Sequence, residues 1–203
     1  MASEEGTIVY DIRLIIEEPG VLLFLPLLEK GVIIPVRTGC SIRDFFCGQL
    51  GLPETYLEQR IQTLFLNARP VDNVDTAVIQ DGAVLALSAA MPGLLGATMR
   101  KDGWYAAFRK DISQSAQTGS HSQTDGLIRV KLFNMVAREI GGLLLQRGVR
   151  IDGTDLERIV GRHNDTLLRH IQSMLVDGHP THPDSRFFLT LIDQPVDLAV
   201  TVC

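Results

Sequence analysis

The chain has 203 residues, 45% of them hydrophobic, and a formal net charge of −5. That is enough length and apolar content for one large or two small domains, and it argues against disorder as the overall state. The acidic balance excludes nucleic acid as the expected partner, because phosphate binding needs a basic face.

The N-terminal run MASEEGTIVYDIR has no basic segment followed by an apolar one, so it is not read as a secretory signal. No run reaches the roughly 18 apolar residues of a membrane-crossing helix. The longest, VLLFLPLLEKGVIIPV, is broken by Pro26, Glu29 and Lys30. No membrane partner is expected. Three cysteines without framework spacing fit a reducing cytoplasm.

In chain order, residues 7–16 alternate as a strand, and Pro19-Gly20 signals a turn. VLLFLPLL (21–28) is a strand or a short insert, with Pro26 against a central strand. GVIIPVRTG (31–39) is a further strand. Ser41 with Asp44 three residues on marks a helix start, carrying Ile42, Phe45, Phe46 and Leu50 on one face. IQTLFLN (61–67) and DGAVLALSAA (81–90) are strands, the second opened by an Asp-Gly turn. The small, polar run SQSAQTGSHSQTDG (113–126) reads as a linker. GLIRVKLFNMVAREIGGLLLQRG then suits a helix, weakened by Gly141-Gly142. Thr154 and Asn164 or Asp165 are expected to cap two further helices. RFFLTLID (186–193) and VDLAVTV (196–202) suit a closing hairpin around Gln194-Pro195.

The stretch FLNARPVDNVDTAVIQDGAVLALSAAMPG resembles the C-terminal half of the β-grasp, ubiquitin-like sulfur carriers, the family of the molybdopterin synthase small subunit and the thiamine sulfur carrier. Leu66-Asn67 stand at that family's strand end, Thr76 and Asp81-Gly82 at its crossing turn, and Val84, Leu85 and Leu87 in its last strand. The resemblance implies a β-grasp domain over 1–98; with a connecting segment and polar linker over 99–126 and a mostly helical unit with a C-terminal hairpin over 127–203, both read from the pattern of the remaining residues, the chain is expected to be α+β. Sulfur carriers end in a free Gly-Gly that becomes a thiocarboxylate. Here the matching place has separated Gly93 and Gly96, and residues 97–203 follow. Carrier chemistry would therefore need proteolytic release.

Three functional expectations follow. The first is a non-catalytic protein partner or small-molecule ligand on a surface of Met91, Gly93, Leu94, Leu95, Gly96, Arg100, Trp104, Tyr105 and Arg109, since aromatics and Arg anchor interfaces. Its plainer reading is a bridging segment packed between units. No cofactor is expected. The second is a metal-assisted enzyme binding zinc or iron through His163, His170, His179 and His182, residue types suited to those ions but without a standard spacing. The third is the carrier released after Gly93 or Gly96. Pairing of the closing hairpin with a sheet edge of a second copy would give a homodimer. Cys40 and Cys47 are read as buried and inert.

Overall fold

The computed structural model describes residues 9–89, 93–101 and 122–203, leaving out the side chains of Leu94, Leu95, Asn164 and Asp165. The elements run β1 (Tyr10–Ile16), α1 (Glu18–Val21), a 3-10 turn (Leu22–Phe24), α2 (Leu25–Lys30), β2 (Val32–Thr38), β3 (Cys40–Ser41), and two π-helical stretches, Asp44–Gln49 and Tyr56–Arg60. There follow β4 (Thr63–Leu66), β5 (Arg69–Pro70), β6 (Val78–Ile79), β7 (Val84–Ser88), α3 (Gly93–Met99), β8 (Thr124–Phe133) and α4 (Asn134–Arg147). The chain closes with β9 (Val149–Asp152), α5 (Gly153–His170), β10 (Ile171–Val176), β11 (His179–Pro180), α6 (Ser185–Leu189) and β12 (Pro195–Val202). Helices and a mixed sheet in both units make this an α+β protein.

Two compact units form, one within Met1–Val32 and Ile140–Cys203, the other within Ile33–Glu139. The first therefore draws on both ends of the sequence. Its sheet runs β11-β10-β1-β12-β9, with β1 and β12 parallel in the middle and antiparallel pairs on either side. Ile12, Leu14 and Ile16 of β1 and Val196, Leu198 and Val200 of β12 are buried, the period-2 pattern of a sheet covered on one face. Asp155 of α5 is 8% exposed and is held by Lys30 Nζ at 2.5 Å and Arg158 at 2.9 Å, so its charge is not left unpaired.

The sheet of the Ile33–Glu139 unit runs β2-β8-β7-β4-β5, again with a central parallel pair, β7 and β8. The helix expected after Ser41 is capped as read: Asp44 N donates to Ser41 Oγ at 3.0 Å and Ser41 Oγ donates to Asp44 at 2.8 Å. It then widens, with Leu50 N donating to Phe45 O, and it buries Ile42, Phe45 and Phe46.

The hairpins β4–β5 and β10–β11 are built alike. Asn67-Ala68 and Asp177-Gly178 all have positive φ, the geometry of a two-residue turn whose twist matches the flanking strands. Asn67 N donates to Val84 O at 2.8 Å and Asn67 Oδ1 accepts from Val84 N at 2.8 Å. Asp177 makes the same reciprocal pair with Asp11, at 2.8 and 2.9 Å. In each unit the turn thus clasps the start of the adjacent central strand.

Several expectations change. Strand 7–16, expected within the domain 1–98, pairs with β10 and β12. VLLFLPLL is helical, with Pro26 in the first turn of α2, where its missing N–H costs nothing. Residues 127–133 belong to a strand, because Ile128, Val130 and Leu132 are buried in alternation. The C-terminal hairpin is absent: Ser185–Leu189 is a helix started by Asp184, whose carboxylate accepts from Arg186 N, and β12 lies between β1 and β9. Asp152, not Thr154, caps α5, and α5 continues past 164 with a kink at His163.

Candidate functional site

A cavity of about 280 Å³ opens in the Ile33–Glu139 unit, lined by Thr63, Phe65, Ala86, Leu87, Ser88, Phe133 and Asn134. Strand register explains why these residues meet. Thr63 pairs with Ser88, and Ser88 with Phe133, forming one row across β4, β7 and β8. Phe65 pairs with Ala86 in the next row on the same face. Leu64, Leu66, Leu85 and Val130 point the other way and are buried. Ala86 is the small member of its row, between Phe65 of β4 and Lys131 of β8, so the sheet surface dips between larger neighbours.

The walls are apolar, and among the described lining residues none is charged. Three polar side chains stand at the strand ends. Asn134 Nδ2 donates to Ser88 Oγ at 3.1 Å, with Asn134 itself at φ 55, a left-handed conformation that costs energy outside glycine. Thr63 is 2% exposed, and its Oγ1 is buried without a hydrogen-bond partner. Buried hydroxyls nearly always find one, so this atom calls for a reason. A staggered turn about χ1 carries the Thr63 hydroxyl to a different position around Cβ, by which the oxygen can reach a guest in the cavity.

The glycine-rich run adjoins this site along the chain. It leaves from Ser88, and at its far end Lys101 N donates to Gln62 O at 2.7 Å, the residue before Thr63. Lys101 Nζ also donates to Leu57 O at 3.0 Å. Gly93 opens α3 with φ 75, Gly96 is buried, and Arg100 is exposed. Leu94 and Leu95 fall within α3. Met91, Trp104, Tyr105 and Arg109 lie outside the described residues.

The four histidines expected as metal ligands, His163, His170, His179 and His182, fall in the other unit. His163 is exposed at the kink of α5, and His179 and His182 are exposed. His170 Nδ1 lies 3.1 Å from Glu17. Among the described residues no group of three or more His, Cys, Asp or Glu is placed to hold a metal ion. Cys40 is buried, and burial pushes its thiol pKa up, as it does for Cys47. Neither is therefore primed as a thiolate nucleophile.

A second polar cluster is structural in character. Glu139 accepts from Tyr56 Oη at 2.9 Å and from Arg60. The Arg60 hydrogen bonds hold its carboxyl below the ordinary range. Burial, then Glu139, pushes the Tyr56 hydroxyl up.

Sequence reading passed over Thr63, Ser88 and Asn134. The available signal was a hydroxyl residue at the end of each of two apolar strands, TLFL and VLALS; their alignment depends on register. Comparison with family models, curated proteins and solved structures gave no match to this chain. Among the described residues no helix is long and apolar enough to cross a membrane.

Proposed function

We propose that this protein is a non-catalytic small-ligand-binding protein whose site is the cavity of the Ile33–Glu139 unit, and that this unit is of β-grasp type. One observation carries the binding reading: an apolar cavity lined by Thr63, a residue whose buried Oγ1 has no partner within the protein. An apolar hollow with few polar groups is the usual form of a ligand site. The β-grasp reading is supported by the order β2-β8-β7-β4-β5 with its parallel centre, and by the helix that follows β2. The strand expected from 7–16 is then supplied by β8, a permuted connection.

The carrier alternative ranks second. Cutting after Gly93 or Gly96 would remove β8 from the middle of the sheet and with it the buried Ile128, Val130 and Leu132. Metal-assisted catalysis has no converging ligand set among the described residues to support it.

A screen of uncharged fragments against the full chain by ligand-observed NMR tests the binding reading. Hits are expected with the wild type and lost with Ala86→Leu, which fills the dip in the sheet. Hits that survive Ala86→Leu unchanged would place binding elsewhere.

A further inference from the structure

We infer that the cavity selects an uncharged compound of about one ring or a short alkyl chain, carrying a single hydroxyl or carbonyl group; this rests on the ligand-site reading above. Three properties of the lining narrow the chemistry. The first is size: about 280 Å³ is at the small end of ligand cavities. The second is charge. Among the described residues lining the cavity none is charged, so a carboxylate, phosphate or ammonium would meet no counter-ion among them. The third is the Thr63 hydroxyl, both donor and acceptor, which a purely apolar guest would leave unsatisfied.

Phe65 and Phe133 flank Ala86 and Ser88, leaving a slot with apolar sides and a polar end at Thr63 and Ser88. The guest's apolar body lies over Ala86, and its oxygen meets the hydroxyls at the strand ends. The corresponding rows of the other unit are different. By the shared hairpin register, Arg13 stands where this unit has Ala86, and the exposed Ile15 stands where it has Ser88. Arg13 is bound to Asp11 at 3.1 Å. The slot is thus a feature of one unit, not a by-product of the shared strand plan.

Four single-ring probes test this on the full chain: benzyl alcohol, toluene, benzoate and benzylammonium, followed by amide chemical shifts. Benzyl alcohol is expected to shift the Thr63, Ser88 and Asn134 amides, and the two ions to bind at least ten-fold more weakly. Thr63→Val keeps the side-chain shape. It is expected to weaken benzyl alcohol about five-fold, the worth of one hydrogen bond, and to leave toluene unchanged. Ions that bind as tightly as the alcohol, or an alcohol-to-toluene ratio untouched by Thr63→Val, would overturn the ligand class. If Ala86→Leu still blocks toluene in that case, the site reading survives. Failure of every probe to shift the cavity amides would overturn the site reading itself, and this inference with it.

Discussion

Glu139 sits among Arg60 and Tyr56 with its carboxyl held below the ordinary range by the Arg60 hydrogen bonds, and Asp75 is held low in the same way by Arg43. The sign of the linkage follows. A depressed carboxylate binds fewer protons in the folded state than in the unfolded one. Its contribution is complete above the unfolded value of about 4.3 for Glu, and is lost as pH falls through the lower folded value. Urea unfolding of Glu139→Gln is expected to show a shallower loss of stability than wild type as pH drops from about 5 to about 3. An unchanged slope would mean that the Arg60 contact is lost to solvent screening. The same scale separates the two turn residues Asn67 and Asp177 from ordinary loop positions. Each tolerates φ near 50° because its short polar side chain bonds a backbone N–H across the turn. Sequence reading marked Asn67 as part of the carrier-like motif, and the clasp on Val84 gives that motif a physical reason.

At the level of elements, glycines in helices divide into two kinds. Gly142 lies inside α4 with nothing within 4 Å of a Cβ placed there, so it only lowers helix propensity. Gly142→Ala is expected to stabilise the protein by about 0.8 kcal/mol in chemical denaturation. Gly153 starts α5 with Leu191 O at 2.1 Å from the same hypothetical atom, a backbone group that cannot swing aside. Gly153→Ala is expected to cost more than about 2 kcal/mol. Equal effects from the two substitutions would refute this reading of the packing. Element type was legible wherever period and capping agreed, as in β1, β4, β7 and the Ser41–Asp44 helix start. It was misread where a strand ran directly into a helix. Ile128, Leu132, Met135 and Val136 fit a helical stripe, yet Asn134 at φ 55 breaks the segment into β8 and α4. The similar phrases LFLNARPVD and LTLIDQPVD fall in unlike elements. FLNARP and LVDGHP, less alike as text, form equivalent hairpins because both supply two positive-φ residues followed by a strand-closing Pro.

Across the whole molecule, the unit made from the chain ends depends on β1 as a central strand between β10 and β12. A chain lacking residues 1–17 is expected to lose hydrogen-exchange protection in β10 and β12. Amides of β4, β7 and β8, whose strand partners all lie within 32–133, are expected to keep theirs. Retained protection in β10 and β12 would show that β1 is dispensable. The sequence by itself determined the α+β class, the main strands before residue 90 and the capped first helix of the Ile33–Glu139 unit. Those features rest on local periodicity and on hydrogen bonds spanning a few residues. Tertiary structure alone decided which strands share a sheet, because a parallel neighbour such as β8 beside β7, or β12 beside β1, comes from far along the chain and leaves no local mark. It also decided the candidate site. Thr63, Ser88 and Phe133 are unremarkable residues in three separate strands, and only register sets them in one row around a hollow with an unpaired hydroxyl.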